Sequence, residues 1–181
     1  MRRGRRAPPA EPDSVEAAYA AALKRLAAQP QSRAMLARKL LQAGYAEPAV
    51  EAALDRAAGQ RYLDDQAFAR ALVGRRSAGR GRAMIAQELR SRGIEAAEAG
   101  RALEQLDPVS ELDRARVLAR AITRVRPCRD RDQLRATVGG RLGRRGFSSA
   151  IITRVLRELL AEGDSVSSGE GPRFDTPPEP D

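Results

Sequence analysis

The sequence predicts an all-α fold, made of three tandem repeats of a three-helix, helix-turn-helix-like unit. The composition favours helix, because alanine, leucine, arginine and glutamate are abundant and are good helix formers. Aromatic residues, which favour strands, make up only 3% of the 181 residues. An internal repeat predicts the tandem arrangement.

The repeat has a period of about fifty residues. Residues 33–45 read RAMLARKLLQAGY, residues 82–94 read RAMIAQELRSRGI, and residues 135–147 read RATVGGRLGRRGF. The aligned positions include a leucine and a glycine in each copy: Leu40, Leu89 and Leu142, then Gly44, Gly93 and Gly146. A single unit of this size has a marginal core. Stacking three units buries more surface and predicts an elongated, curved body.

The repeat spacing and the composition divide the chain into five segments. We predict a disordered basic tail at 1–14, repeats at 15–62, 63–108 and 109–162, and a disordered acidic tail at 163–181. The acidic tail is rich in proline, serine and glycine. Neither tail has enough apolar side chains to offset the entropy lost on ordering.

Capping residues and glycines predict the helices of each unit. In the middle unit, Asp64 is an N-cap for a helix to about Ser77. The second helix presents Ile85 and Leu89 and ends at Gly93. A third helix from about Glu95 buries its apolar positions, which are Ala99, Leu103 and Leu106.

The outer units follow the same pattern. In the first unit, Ser32 caps the second helix, Gly44 ends it, and Pro48 lies at the start of the third. In the third unit, the first helix is longer, about 109–126, and Ser148 is an N-cap. The pair Gly139-Gly140 costs its helix about 2 kcal/mol against alanine, so we expect that helix to be the weakest.

The composition excludes several kinds of chemistry. The chain has no histidine, which rules out Ser-His-Asp or Cys-His catalysis and any His-ligated metal. No phosphate-binding P-loop motif occurs. A single cysteine cannot form an internal disulfide, and no apolar run approaches the roughly 18 residues of a membrane helix. We therefore predict a cytoplasmic protein that is not an enzyme, with no cofactor, no metal and no membrane partner.

Two features could carry chemistry, but each has a simpler explanation. Asp64 and Asp65 could hold Mg²⁺ as in a nuclease, yet a helix N-terminus favours an acidic cap and first turn. Cys128 lies between arginines that could lower its pKa. Without a partner cysteine or histidine, we interpret it as an incidental loop thiol.

The basic residues indicate a binding surface. The chain has a formal charge of +9, to which residues 14–63 contribute +3, residues 64–107 contribute +1 and residues 109–162 contribute +7, while the tails contribute +2 (residues 1–13) and −4 (residues 163–181). Such positive density suits a phosphate backbone or an acidic protein groove. The predicted partner- or DNA-binding residues cluster in the second and third units: Arg75, Arg76, Arg80, Arg82, Arg90, Arg92, Arg141, Arg144 and Arg145.

The middle unit resembles the signature of a known family. The signature begins Tyr62-Leu63-Asp64-Asp65-x2-Phe68-Ala69 and continues Arg75-x4-Arg80-Gly81-x3-Ile85-x2-Glu88-Leu89-x3-Gly93-Ile94. It resembles the RecX family, bacterial regulators of the RecA recombinase. The outer units support the resemblance through the repeat and through Arg145-Gly146-Phe147-Ser148. Two departures are Arg61, where the family commonly has glycine, and the small residues at 136–140.

The resemblance implies a fold, a partner and a function. Family members are three repeats of a three-helix unit without a catalytic site. They bind in the groove of the RecA–DNA filament and lower its ATPase and strand exchange, either by blocking filament growth or by promoting disassembly. The resemblance thus implies a monomeric inhibitor of RecA that modulates recombination, DNA repair and the SOS response.

A second interpretation comes from the helices themselves. The second helix of each unit could act as a recognition helix, making the chain a helix-turn-helix-like protein that binds DNA without a recombinase. These helices lack the asparagines and glutamines that read bases, apart from Gln87. Weak, nonspecific binding to single- and double-stranded DNA is compatible with either interpretation.

Overall fold

A computed structural model describes residues 9–128 and 130–167, and within these ranges the chain forms helices and no strands. The first three helices are α1 (Val15–Ala28), α2 (Arg33–Ala43) and α3 (Glu47–Gly59). The next three are α4 (Asp65–Ser77), α5 (Arg82–Ser91) and α6 (Ala96–Leu103). The last group is α7 (Pro108–Val125), α8 (Arg131–Leu134), a π-helical segment (Arg135–Gly139), α9 (Gly140–Arg144) and α10 (Ser149–Ser167). The predicted all-α fold is confirmed.

Helix α10 runs past the boundary predicted for the third unit at residue 162. Residues 163–167 contain no proline, and the first proline after them is Pro172, so proline does not stop α10 at 162, and the helix continues through Gly163. Residues 1–8 and 168–181 of the predicted tails lie outside the described residues.

The helix ends agree with the capping residues in the sequence. The side chains of Ser32, Asp64 and Ser148 accept hydrogen bonds from backbone N–H groups three residues later, as predicted. Each repeat glycine follows the second helix of its unit in the left-handed region, with φ of 102° at Gly44, 75° at Gly93 and 83° at Gly146. This backbone conformation explains the glycine that recurs in each copy of the repeat.

The helices enclose three separate apolar clusters, one in each of the three groups of helices. The first cluster lies among α1, α2 and α3, the second among α4, α5 and α6, and the third between α7, the 131–144 helix and α10. The repeat leucines Leu40, Leu89 and Leu142 are fully buried, one in each cluster. Leu106 is also buried, although it lies beyond the end of α6.

The third unit has additional residues in both its first and its second helix: α7 has 18 residues against 13 in α4, as predicted, and the second helix begins earlier than in the other units. That helix starts at Arg131, one turn before Arg135, the residue that aligns with Arg33 and Arg82 in the repeat. Its middle part, which contains Gly139, is a π-helical segment. A single π turn is the usual way in which a helix absorbs an inserted residue, and such turns are frequent at functional sites.

The first and second units meet where α2 begins. The Ser32 hydroxyl donates a hydrogen bond of 2.5 Å to the carbonyl of Arg92. The backbone N–H of Arg33 donates one of 2.7 Å to Asp65 Oδ1. Gly93 packs so closely against Ala34 that a Cβ added to Gly93 would overlap the Ala34 side chain. Asp65 therefore joins two units, while Asp64 caps α4, in agreement with the structural explanation of this acidic pair.

The second and third units repeat this junction. The N–H of Gly81 donates a hydrogen bond of 2.8 Å to the carbonyl of Arg145, and the N–H of Arg82 donates one of 2.8 Å to Glu111 Oε1. Arg82 aligns with Arg33, and Arg145 aligns with Arg92. In both junctions, the start of one second helix therefore contacts the end of the next second helix and an acidic residue of the next first helix.

Candidate partner-binding surface

Five of the nine predicted arginines come together in one cleft between the second and third units. Arg75 and Arg76 lie in the last turn of α4, and Arg80 lies in the connection to α5. Across the junction, Arg144 and Arg145 lie at the end of α9. With Gly79 and Met84, these five arginines line a cleft of about 470 Å³, which we call the arginine cleft.

Next in sequence to the residues that line the arginine cleft, the backbones of the two units approach closely. A Cβ added to Gly81 would lie closer than 3.0 Å to the backbone of Gly146. The Arg145 guanidinium extends across the junction and donates a hydrogen bond of 3.2 Å to the carbonyl of Gly79. The repeat glycines thus bring the two arginine groups together.

Glu88 of α5 is the carboxylate that organises one wall of the cleft. Its side chain is only 13% exposed. Arg76, Arg80 and Arg92 donate hydrogen bonds to it at 2.9, 2.6 and 2.6 Å. Burial raises the pKa of the Glu88 carboxyl, but the hydrogen bonds and charges of Arg76 and Arg92 outweigh burial, so its pKa lies below the ordinary value.

The cleft keeps a large positive excess. Glu88 neutralises one charge of the three arginines that it binds. Arg75 and Arg144 are exposed and form no hydrogen bond or ion pair within the described part of the chain. These two guanidinium groups are therefore available to an anionic partner.

The other four predicted arginines lie elsewhere. Arg82 donates a hydrogen bond of 2.8 Å to the carbonyl of Leu103, so its guanidinium fastens α5 to α6. Arg92 binds Glu88 and lies 5.8 Å from the centre of the Phe68 ring. Arg90 and Arg141 are exposed on their helices and do not line the cleft.

Sequence reasoning named Glu88 only as part of the family signature, without a role, and missed Glu111. The spacing of Glu88 and Arg92, four residues apart on one helix, is a local signal of an ion pair. Nothing local indicates that Arg76 and Arg80 reach the same carboxylate, because they come from α4 and the connection after it. Glu111, which is 7% exposed, binds a backbone N–H of another unit, and a pattern of side chains does not reveal such a contact.

The described residues contain no cluster of three or more His, Cys, Asp or Glu side chains able to hold a metal ion. Cys128 is partly buried against the third apolar cluster. Within the same ranges, no helix has the length and apolar character needed to cross a membrane.

The fold and this surface define the chain as a helical-repeat protein with a basic cleft between two of its units. Comparison with known proteins shows which family of helical-repeat proteins this chain resembles. Residues 18–56 match the first three-helix domain of RecX, and residues 64–103 match the second.

Relatives match over most of the chain. The regulatory protein RecX of Streptomyces coelicolor is 38% identical over 157 residues, which cover 86% of this chain and 82% of that protein. The regulatory protein RecX of Thermobifida fusca is 38% identical over 173 residues, covering 90% and 92%. This chain belongs to the RecX family of regulatory proteins.

Solved structures agree with the fold. The crystal structure of RecX from Lactobacillus salivarius matches with a TM-score of 0.75 at 21% identity, covering 81% of this chain and 97% of that one. Another crystal structure, of regulatory protein RecX, gives a TM-score of 0.72 at 27% identity, covering 78% and 72%.

Proposed function

We propose that this protein is a non-enzymatic regulator that binds the RecA recombinase filament in the cytoplasm, as a monomer. It inhibits the ATPase, strand exchange and filament growth of RecA and thereby modulates recombination, DNA repair and the SOS response. Membership of a family of regulatory proteins supports this proposal. The arginine cleft is the structural observation that carries it.

The cleft suits a partner that is both anionic and extended. Five guanidinium groups face one opening, and arginine binds carboxylates and phosphates in the same bidentate geometry. A partner in the cleft contacts two units at once, so several weak contacts add avidity without a deep pocket. Acidic side chains of the filament and phosphates of its DNA both meet this requirement.

The alternative is a helix-turn-helix-like protein that binds DNA without a recombinase. Recognition helices contact base edges through their N-terminal residues. In this structure, the N-terminal backbone groups of α2 and α5 bind the neighbouring unit, at Arg33 and at Gly81, Arg82 and Ala83. Because these two helix starts are occupied, the contacts of α2 and α5 support the filament over direct base recognition by those two helices.

The test is the single-strand-dependent ATPase of the cognate RecA at near-physiological salt, with this protein titrated in. We expect dose-dependent loss of ATP hydrolysis at amounts too small to cover the DNA. No effect at any ratio would contradict the proposal. A fall that appears only when the protein saturates the DNA would indicate simple masking, as the alternative predicts.

The cleft is tested with the variant Arg75→Glu/Arg144→Glu, because neither side chain has a partner within the described residues. We expect it to inhibit the ATPase at least tenfold less well, with unchanged helicity. Reversing Arg76, Arg80 or Arg82 instead would break contacts to Glu88 and Leu103. The matched control is Arg38→Glu/Arg70→Glu, which reverses two exposed arginines outside the cleft. Equal inhibition by both variants would remove the cleft from the interface.

A further inference from the structure

The third unit has a second basic site, separate from the arginine cleft. Between the 131–144 helix and α10 lies a cavity of about 260 Å³. Leu134, Leu156 and Leu160 form its apolar floor, and Arg131, Arg135 and Arg157 form its rim. We call it the α10 pocket.

The rim of the α10 pocket has unbalanced charge. All three rim arginines are exposed, and none forms a hydrogen bond or ion pair within the described part of the chain. Elsewhere in this unit, Arg116, Arg120 and Arg154 are each paired with a carboxylate. Three unpaired guanidinium groups around an apolar floor fit a peptide that carries both a large apolar side chain and carboxylates.

The backbone beside the pocket is irregular. Arg135 is the first residue of the π-helical segment, which replaces regular helix between α8 and α9. Residue 139, at the end of that segment, is a glycine, and a Cβ added to it would contact Leu156 and Ile152 of α10 at ordinary packing distance. The π-helical segment thus contributes to one wall of the α10 pocket. Such π turns are frequent at functional sites.

We propose that residues 168–181 of this chain occupy the α10 pocket, with Phe174 on the leucine floor and the neighbouring carboxylates on the arginines. This segment follows α10 directly and has the sequence SGEGPRFDTPPEPD. It carries four carboxylate side chains against one arginine, and Phe174 is its one aromatic residue. Its chemistry is therefore the complement of the pocket.

The length of the segment permits this contact. Along α10, Arg157 lies about 15 Å and Thr153 about 21 Å back from Ser167, at 1.5 Å per residue. Phe174 is seven residues beyond Ser167, which spans up to about 23 Å when extended. Phe174 can therefore return to the level of the pocket while the connection remains on the surface of the same helix.

Docking within one chain avoids the translational entropy cost of capturing a separate peptide, so only the conformational entropy of the segment opposes it. The segment is tethered to a wall of its own site, so its effective concentration is in the millimolar range for a short flexible connection. The docked segment places its carboxylates beside arginines that lack partners, in the most basic unit of the protein. This inference does not depend on the proposed function, because it concerns contacts within one chain.

The test uses tryptophan fluorescence of the full chain, which has no natural tryptophan. Phe174→Trp introduces a single reporter. We expect its emission to be blue-shifted and its iodide quenching reduced relative to the urea-unfolded chain. Adding Arg131→Glu/Arg135→Glu/Arg157→Glu is expected to restore the emission and quenching of the unfolded chain without loss of helicity.

The matched control adds Arg38→Glu/Arg70→Glu/Arg101→Glu to the same reporter, which makes an equal change of charge at exposed helix positions outside the pocket. The control should leave the tryptophan buried. An exposed tryptophan in the unreversed chain would overturn the proposal, as would burial that survives reversal of the pocket arginines. Burial that depends on protein concentration would assign the pocket to a second copy and overturn docking within one chain.

A second measurement needs no tryptophan. Arginines that are bound to carboxylates react slowly with phenylglyoxal, and mass spectrometry locates the modified positions. We expect Arg131, Arg135 and Arg157 to react several-fold faster in a Phe174→Ser chain than in the natural chain, with Arg38 and Arg70 unchanged. Equal rates at the three pocket arginines would contradict docking.

Discussion

Gly81 shows how one residue fixes the relation between two units. Its N–H donates to the carbonyl of Arg145, and its Cα lies against the backbone of Gly146. Its φ of −78° suits any residue, so the requirement for glycine is one of space and not of backbone conformation. Arg80 and Arg145, the residues that precede these two glycines, both line the arginine cleft.

Gly81→Ala therefore tests the junction at the scale of one residue. The added Cβ would lie closer than 3.0 Å to the carbonyl of Gly146, and rigid backbone cannot yield cheaply. We expect a loss of about 1–3 kcal/mol in the free energy of unfolding, the usual cost of overpacking. Urea denaturation measures this loss.

Gly74→Ala is the control for Gly81→Ala. Gly74 lies inside α4, and a Cβ there meets nothing within 4 Å. Alanine at this position should stabilise the protein by about 0.5–1 kcal/mol through helix propensity. Stabilisation by both substitutions would show that the two backbones are not in contact.

The sequence marks Arg61 as a departure from the family pattern, and the structure shows the backbone conformation at this position. It stands where the family commonly has glycine. In the structure it has a φ of 62°, in the left-handed region that glycine adopts without penalty. Arg61 therefore has, just before Tyr62, a backbone conformation that suits glycine.

At the scale of helices, an ion pair fastens α7 to α10. Arg116 donates two hydrogen bonds to Glu158, at 2.8 and 2.7 Å. Hydrogen bonds and charge from Arg116, with a smaller contribution from Arg154, lower the pKa of Glu158 from 4.5 to about 2. Arg120 and Glu162 form a second link one turn further along both helices.

The lowered pKa predicts a pH dependence with a definite sign. Ionised Glu158 contributes stability that is fully present above its ordinary pKa of 4.5 and is lost as the pH falls towards 2. We expect Glu158→Gln to lower the melting temperature at neutral pH. It should also reduce the fall in melting temperature between about pH 4.5 and pH 2.

The control for this pH prediction is Glu104→Gln. Glu104 is exposed and has no ion pair within the described residues. Its substitution should leave both the melting temperature and the slope between these pH values close to those of the natural chain. Identical slopes in all three proteins would mean that Glu158 does not hold α10 in solution.

The helices differ in how far the sequence predicts them. Caps and glycines act within a few residues, so the boundaries at Ser32, Asp64, Gly93 and Ser148 follow from local chemistry. The position of the π-helical segment does not follow from local chemistry, because its register depends on packing against α7 and α10. The pair Gly139-Gly140 predicts a weak helix, and the structure has irregular helix there.

The candidate site is less predictable than the helices. Clustering along the sequence identified the arginines around residues 75–82 and 141–145, and five of them line one cleft. It could not separate Arg75, which is free, from Arg76, which binds Glu88. That separation depends on contacts between elements, and pairing of this kind is invisible in composition and spacing.

At the scale of the whole molecule, three separate cores are joined by two similar junctions. Each junction includes hydrogen bonds at the start of a second helix, from backbone or side-chain groups there to side chains or backbone of the next unit. The apolar clusters themselves stay within their own units, apart from Met35, which packs against the second cluster, and Leu63, which is buried in the first. In such arrays, stability is approximately the sum of unit terms and nearest-neighbour terms.

This architecture predicts that one substitution has the same local cost in each unit but little effect at a distance. Leu40, Leu89 and Leu142 are equivalent in the repeat and fully buried, so each Leu→Ala change should cost its unit about 2–5 kcal/mol.

Hydrogen exchange measured by mass spectrometry on the full chain follows each unit. Leu40→Ala should accelerate exchange in α1–α3 and leave α10 unchanged, and Leu142→Ala should do the reverse. Leu89→Ala, in the middle unit, should accelerate exchange on both sides, because that unit shares both junctions. Uniform acceleration by all three variants would mean that the chain unfolds as one cooperative body, and that its junctions are as strong as its cores.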